Sequence, residues 1–245
     1  MSLLKEIEIL YEDEHMLVIN KPAGLIVHSD GRRKEDSVAD WMLAKYPSTK
    51  DVGEPIVQAN GEVILRPGIV HRLDRETSGA LLLAKDEKTF EFLKNQFQER
   101  DIAKEYHAFV YGNIKSDDGV IDRPIGRSRN DFRLWSSQRG ARGELREAIT
   151  EYRVLERGKE VTLVEAKPKT GRTHQIRVHF KAINHPVVAD SLYAPKMKRL
   201  LGFERTALHA FAVEFKLQSD TMMKVTAPYP EDFKKALEEL RKIGE

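Results

Sequence analysis

Apolar and polar residues alternate along this chain in short segments that predict strands and amphipathic helices. Two strands around an acidic turn are expected over residues 7–20. Further strands are expected at 104–111, 150–155 and 161–167. Apolar residues at helical spacing predict helices over 36–46, 86–99 and 228–243. Because strands and helices mix without a regular alternation, we expect an α+β fold with a mixed, largely antiparallel sheet flanked by helices and loops.

Two shorter patterns concern polar segments. Residues 56–65 read as two strands around Asn60-Gly61, a dipeptide that permits the positive backbone angles of a type I′ turn and so predicts a hairpin. Thr173–Phe180 alternates like a strand and places Arg177 at the centre of the polar face. An arginine there could meet a carboxylate across a cleft, although a surface arginine fits the pattern equally well.

A dense polar stretch, His71–Gly79, in which five of nine residues can carry charge or a proton, runs directly into the apolar segment Ala80–Ala84. Such a short apolar run predicts a strand buried on both faces, preceded by a loop that presents reactive side chains. Asp74 has arginines two residues before it and one residue after it. A carboxylate among fixed cations stays ionised and oriented, which suits a nucleophile or a base. On these residues alone, a solvated loop of arginine and aspartate is the alternative.

Arg66–Gly79 (RPGIVHRLDRETSG) resembles the signature of the RluA-like pseudouridine synthase family. Four more stretches match that family in its order: YED with VINKPAG at 11–24, KEY at 104–106, GRTHQIRVH at 171–179 and LHA at 208–210. The resemblance extends from about Tyr11 to the C-terminal helix. It implies the pseudouridine synthase fold in a single catalytic domain, 1–245, of the stand-alone form without an N-terminal RNA-binding module.

The same resemblance implies an isomerase that converts specific uridines of structured RNA to pseudouridine, and it implies roles for four residues. Asp74 is the essential carboxylate, which either adds to the sugar carbon or removes a sugar proton. Arg177 pairs with that carboxylate, and Tyr106 stacks on the target base and can shuttle a proton. Because a base inside a helix cannot react, it must be flipped out, and Arg72 fills the vacated stack.

Charge distribution indicates where RNA would bind, since the net charge is only +2. Seven arginines and two acidic residues lie between Arg123 and Arg146, among glycines and serines that are typical of a loop or hairpin. Together with Phe132 and Trp135 they suit phosphates and exposed bases, although a solvated surface loop is the alternative. The predicted RNA-binding residues are Arg72, His71, Arg75, Thr77, Arg127, Arg129, Arg133 and Arg172. Of these, His71, Arg75 and Thr77 are expected chiefly to shape the loop.

Composition excludes several classes of protein. The chain has no cysteine, so disulfides, thiolate metal sites and cysteine nucleophiles are excluded. No apolar run approaches the roughly eighteen residues of a membrane span, and the N-terminal residues lack the pattern of a secretion signal. A cytoplasmic protein is therefore the simplest interpretation. We take a monomer as the default and expect RNA as the partner, no membrane association, no cofactor and no metal.

Several alternatives remain open at this stage. The substrate is expected to be 23S ribosomal RNA, with transfer RNA as the alternative, and a non-catalytic RNA-binding or ribosome-assembly protein is a further one. A metal-dependent hydrolase is suggested by the eight histidines. It is disfavoured because His174 and His179, five residues apart, would lie on opposite faces of a strand. Ala189 and Ala194 depart from the family pattern, which has glycines there.

Overall fold

The computed structural model describes residues 2–29, 31, 35–129, 131, 133–137 and 141–244, which form two compact units. Unit 1 consists of Met1–Ala103 and Ala210–Pro228, and unit 2 of Lys104–His209 and Tyr229–Glu245. Phe132 and Arg139 of the arginine-rich segment lie outside the described residues. Within the described residues, no helix is both long enough and apolar enough to cross a bilayer.

The described residues contain fourteen strands and four α-helices. The strands are β1 Glu8–Glu12, β2 Met16–Lys21, β3 Ile56–Val57, β4 Val63–Ile64, β5 Ser78–Ala84, β6 Ala103–Tyr111, β7 Asp118–Asp122, β8 Ile125–Arg127, β9 Trp135–Ser136, β10 Arg142–Arg146, β11 Ile149–Arg157, β12 Val161–Pro168, β13 Leu208–Lys216 and β14 Met222–Thr226. The helices are α1 Val38–Lys45, α2 Glu87–Glu99, α3 Gln175–Ala182 and α4 Glu231–Gly244. The predicted α+β class with mostly antiparallel pairing is confirmed.

Unit 1 is built on a sheet with the strand order β1-β2-β5-β13, and β14 pairs with β13. Every residue of β5 is buried, as the apolar run after the polar stretch predicts. The sheet packs against α2 through Phe90 and Leu93, the face that the helical spacing indicates. Gly79 at the start of β5 has φ +113°, and a Cβ there would lie 2.2 Å from the carbonyl oxygen of Ala210. Only glycine allows the two strands to approach so closely.

Unit 2 has an antiparallel sheet with the strand order β6-β12-β11-β7 and a smaller sheet with the order β10-β8-β9. The predicted C-terminal helix is confirmed as α4. Its Phe233 is fully buried, with its ring centroid 5.4 Å from that of Phe109 on β6 and 5.2 Å from that of Phe203. Burial of such a side chain contributes about 1.5–3 kcal/mol, so this contact holds α4 on the sheet.

Two sequence predictions are wrong in detail. Thr173–Phe180 is not a strand, because α3 begins at Gln175 after His174 adopts left-handed angles (φ 55°). The predicted hairpin exists as β3 and β4, but its turn is not type I′. Gly61 has a positive φ whereas Asn60 does not, and the Gly61 N–H donates to the Gln58 carbonyl over 2.9 Å. A longer loop with one left-handed residue therefore joins the strands.

Candidate active site

In unit 1 a hydrogen bond between two of its own residues stabilises the His71–Gly79 loop. The Thr77 N–H donates to the Asp74 carbonyl over 3.1 Å, which closes a turn around the carboxylate. Leu73 and Thr77 are buried on either side of it, whereas the Asp74 side chain is only half-buried. The loop thus holds Asp74 between two fixed neighbours and keeps it accessible.

Lys21 joins this loop to the segment after β2. Its side chain is fully buried, and Nζ donates to the carbonyls of Pro22 (2.9 Å), Leu25 (2.8 Å) and Arg75 (3.2 Å). The Gly24 N–H also donates to the Arg75 carbonyl, over 2.8 Å. Three oxygen acceptors satisfy the three donors of an ammonium group, so the buried charge fixes the backbone immediately after Asp74.

The two arginines that flank Asp74 along the chain differ in their contacts. Arg75 forms a fork with Glu35, with nitrogen–oxygen distances of 2.7 and 2.8 Å. Arg72 is exposed, and its Nη1 lies 3.4 Å from Nε2 of His28. Burial, together with the nearby charge of Arg72, lowers the pKa of Arg66. Two cations therefore lie close together beside the loop, which favours an anionic ligand such as RNA.

His71 ties the loop to β5. Its Nε2 accepts a hydrogen bond from the Leu82 N–H over 3.0 Å, and its ring stacks on Phe97 with 4.7 Å between centroids. An accepting Nε2 carries no proton, so the bond requires the neutral ring with its proton on Nδ1. The stacking of His71 on Phe97, the fork between Arg75 and Glu35, and the burial of Thr77 hold this loop in unit 1.

In unit 2, Tyr106 lies on β6 opposite Ala166 of β12. Its half-buried ring packs against the main apolar cluster of this unit. The strand places Lys104 on the same face as Tyr106, and Glu105 and His107 on the other face. Tyr106 therefore presents a flat ring at the margin of the core, where a second ring could stack on it.

Arg177 on α3 forms a buried fork with Asp190. Its Nε donates to Oδ2 over 2.7 Å and its Nη2 to Oδ1 over 2.8 Å, while Nη1 takes no part in the fork. Asp190 is fully buried and also accepts from the N–H groups of Leu192 (2.9 Å) and Tyr193 (3.0 Å). Burial alone would raise the pKa of Asp190, but Arg177 and these N–H groups hold it below its usual value.

The residues around α3 explain why the helix begins where it does. The Gln175 side chain accepts from Thr170 Oγ1 (2.6 Å) and the Arg172 N–H (3.0 Å), and it donates to the Ile149 carbonyl (2.9 Å). His174 Nδ1 lies 2.9 Å from the Tyr193 hydroxyl, and the Tyr193 ring lies under the Arg177 guanidinium. These contacts fix the backbone on both sides of the first turn of the helix.

The arginine-rich segment forms the small β10-β8-β9 sheet, in agreement with its predicted loop or hairpin character. Arg127 lies over the Trp135 ring, 4.2 Å from the centroid. Arg133 forks onto Asp131, with Nη2 to Oδ2 at 2.7 Å, and this cation lowers the pKa of Asp131 to about 2. Arg129 is exposed and forms no ion pair within the described part of the chain. The segment therefore contains two paired cations, Arg133 and Arg146 (3.6 Å from Glu144), and at least one cation, Arg129, without an ion pair among the described residues.

One group of residues in the described part of the chain has the spacing of metal ligands: Glu105, His107 and Glu165, with ligand atoms within 4.8 Å of one another. Both ring nitrogens of His107 already have partners, the Tyr229 hydroxyl and Glu105. Glu165 forms ion pairs with Arg153 (3.1 Å) and Lys167 (3.0 Å). Both of these cations pair with Glu165, and Glu105 pairs with His107, so all three residues already have protein partners on the strand face opposite Tyr106.

Three of these residues were not assigned a role from the sequence. They are Lys21, Lys104 and Asp190. Lys21 and Asp190 occur in stretches that are otherwise mostly apolar, whereas Lys104 lies next to Glu105. A charged residue in an apolar stretch indicates burial with a dedicated partner, and this signal could have singled out Lys21 and Asp190. The partner itself depends on tertiary contacts, such as that between Lys21 and Arg75.

Comparison of the sequence with known proteins gives consistent matches. The family described as RNA pseudouridylate synthase matches residues 15–182. The chain is 38% identical over 240 residues to "Uncharacterized RNA pseudouridine synthase YlyB" of Bacillus subtilis, covering 98% of this chain and 74% of that protein. It is 36% identical over 247 residues to "Ribosomal large subunit pseudouridine synthase D" of Xanthomonas campestris, covering 96% of this chain and 70% of that protein.

Solved structures agree with these matches. "Human RNA Pseudouridylate Synthase Domain Containing 1" superposes with a TM-score of 0.74 at 28% identity, covering 93% of this chain and 85% of the human one. "Human RNA Pseudouridylate Synthase Domain Containing 4" gives a TM-score of 0.73, also at 28% identity, and 98% of this chain is covered.

Proposed function

The chain belongs to the RNA pseudouridylate synthase family, and we propose that its substrate is large-subunit ribosomal RNA. The predicted family, fold and isomerase class are confirmed by the family match and the human structures. Ribosomal RNA is supported by the name of the Xanthomonas campestris relative, "Ribosomal large subunit pseudouridine synthase D". We further propose that the protein is a cytoplasmic monomer, as expected from the sequence.

The reaction moves uracil without any change of oxidation state. The bond from the sugar C1′ to N1 breaks, the base turns, and C1′ bonds to C5, which gives up its proton while N1 gains one. To detach the base, a carboxylate must either add to the sugar carbon as a nucleophile or remove a proton from the sugar as a base. We propose Asp74 for this step. Its turn with Thr77 and the Lys21 bond to the next carbonyl support the assignment, because both orient the carboxylate.

We propose that Tyr106 stacks on the flipped uracil and that Arg177 acts on the catalytic carboxylate, each in the role that the family resemblance implies. The half-buried Tyr106 ring supports the first role, since a phenol offers an apolar face and a polar tip. The Asp190 fork supports the second role, because it sets the plane of the Arg177 guanidinium and leaves Nη1 outside the fork.

Exposed cations are proposed to hold the RNA. Arg72 extends from the loop as a planar group that suits the space left by a flipped base. Arg127 with Trp135, Arg129 and Arg133 offer cations and an aromatic face, the combination that binds phosphates and unstacked bases. Arg172 is proposed to contact RNA beside α3.

The test is a pseudouridine map of total RNA from cells that lack this protein, with wild type, Asp74→Asn or Asp51→Asn restored. Asp51 is an exposed aspartate of the same unit, so its variant controls for the loss of one charge. We expect large-subunit ribosomal sites to vanish in the deletion strain and to return with wild type and Asp51→Asn, but not with Asp74→Asn.

Other outcomes decide between the alternatives. Loss of transfer-RNA sites would favour the transfer-RNA substrate instead. Restoration by Asp74→Asn would remove the proposed carboxylate from the mechanism. An unchanged map would contradict modification by this protein in these cells and favour a non-catalytic role in RNA binding or ribosome assembly.

A further inference from the structure

Lys104 is a cation of unit 2 with very few contacts for its degree of burial. Its Nζ donates one long hydrogen bond, 3.5 Å, to the Thr170 carbonyl. Within the described residues it forms no ion pair and has no other hydrogen-bond partner. Lys21, which is fully buried whereas Lys104 is half-buried, has three carbonyl partners. The ammonium group of Lys104 therefore has N–H donors without a close acceptor among the described residues.

This position is electrostatically unfavourable in the free protein. Burial lowers the pKa of Lys104 to about 8, and no charged group of the described chain offsets that effect. The segment packed against Nζ carries Thr170 and Gly171, neither of which titrates, and Arg172 beyond them stays charged. Energetically unfavourable positions of this kind, such as a cation removed from water without a counter-charge, occur most often at functional sites, where a bound ligand offsets the cost.

The surroundings of Lys104 leave room for a ligand. A Cβ added to Gly171 would lie 3.9 Å from Nζ, so the missing side chain leaves the ammonium open on that side. Arg172 follows directly, and its Nε donates to the Glu147 carbonyl over 3.0 Å while it forms no ion pair in the part of the chain that is described. Two cations without carboxylate partners thus flank one glycine, which is a suitable environment for an oxyanion.

We propose that Lys104 binds a backbone phosphate of the substrate RNA, at or next to the nucleotide whose base stacks on Tyr106. Lys104 and Tyr106 are two residues apart on β6, so their side chains leave the same face about 7 Å apart. That spacing lets one residue meet a base and the other its backbone. The inference rests on the proposed function, because it takes RNA as the substrate and Tyr106 as its base-stacking residue.

The test compares Lys104→Met, Lys104→Arg and wild type, with Lys159→Met as the control. Lys159 is an exposed lysine of the same unit, and its replacement removes the same charge. The probe is an unmodified transcript of large-subunit ribosomal RNA, and its Kd is measured at several salt concentrations and from pH 7 to 9.5. Pseudouridine formation on that transcript is measured alongside.

For Lys104→Met we expect the Kd to rise roughly tenfold and the salt dependence to fall by about 0.7 in log–log slope, the contribution of one phosphate contact. Wild-type affinity should fall as the pH rises above about 8, because the ammonium loses its proton. Lys104→Arg should bind with less dependence on pH, since a guanidinium stays charged. Lys159→Met should behave like wild type.

Unchanged affinity and salt slope in Lys104→Met, with wild type active, would overturn the phosphate contact and leave the proposed function standing. Equal pH dependence in wild type and Lys104→Arg would overturn it as well. If wild type binds the transcript but forms no pseudouridine on it, the proposed substrate fails, whereas the contact is still decided by the Kd values. If Lys104→Met and Lys159→Met raise the Kd by the same factor, the effect is one of general charge, and this result would contradict the inference.

Discussion

The fork between Arg177 and Asp190 shows how one residue can depend on another that lies apart from it in the sequence. Nε and Nη2 of the guanidinium are held by a carboxylate that no water reaches, so the orientation of the whole group is set within unit 2. A buried ion pair need not add much stability compared with apolar residues, but removal of one partner leaves the other charge uncompensated.

Asp190→Asn should therefore lower the free energy of unfolding by about 3–5 kcal/mol at pH 7. The pKa of Asp190 is depressed below its ordinary value of 3.8, so its contribution is present above that value and is lost as the pH falls through the folded-state pKa. The difference between variant and wild type should accordingly shrink below pH 3.8, as measured by urea unfolding at pH 7, 5 and 3.

Asp131→Asn provides the comparison for this prediction. Asp131 is paired with Arg133 at the surface, where solvent screens the pair, so the variant should unfold at nearly the same urea concentration as wild type. If Asp190→Asn and Asp131→Asn lowered the free energy of unfolding by the same amount, the larger contribution predicted for the buried Arg177–Asp190 pair would be contradicted.

At the scale of elements, α3 shows why short segments mislead. Thr173–Phe180 is eight residues long, and its alternation of polar and apolar residues fits a strand as well as a helix. The Gln175 side chain and the left-handed backbone of His174 decide for the helix, and both rest on contacts from other segments. For a segment of this length, contacts with the rest of the fold determine whether it forms a strand or a helix.

The loop after α3 allows a second test. Ala189 has φ 55°, a region that costs a residue with a Cβ about 1–2 kcal/mol, which is a physical reason for the glycine that the family resemblance implies there. Ala189→Gly should raise the free energy of unfolding by about 0.5 kcal/mol, because relief of strain exceeds the greater freedom of glycine in the unfolded chain. Thermal unfolding monitored by circular dichroism would measure the change.

Ala194→Gly is the matched control, since Ala194 is the other departure from the family pattern. Its methyl group is buried and its φ is not positive, so glycine there should lower the free energy of unfolding by about 1 kcal/mol. Shifts of the same sign for both variants would contradict the role assigned to backbone strain at Ala189.

For the whole molecule, the placement of charge matters more than its sum. A net charge of +2 gives little attraction for RNA, yet the arginine-rich sheet combines paired and unpaired cations. The chain forms two compact units, and the single catalytic domain expected from the sequence stays a prediction.

Arg129→Gln should weaken RNA binding more than Arg133→Gln. Asp131 already offsets the charge of Arg133, whereas Arg129 has no ion pair among the described residues. Each phosphate contact contributes about 0.7 to the salt slope on single-stranded RNA, so that slope should fall by about this amount for Arg129→Gln and by less for Arg133→Gln. Filter binding at several salt concentrations would measure both slopes. A larger loss of affinity for Arg133→Gln than for Arg129→Gln would contradict the proposed RNA contact of Arg129.

The family, the α+β class, the amphipathic helices and the buried strand β5 could all be predicted from the sequence, because periodicity and ordered motifs are local properties of the chain. The folded structure was needed to show that Arg75 pairs with Glu35, that Lys21 binds the carbonyl of the residue after Asp74, and that Asp190 orients Arg177. These partners are separated by up to 54 residues along the chain. No local pattern encodes such a pairing, because it forms only when folding removes both groups from water and each must satisfy the other.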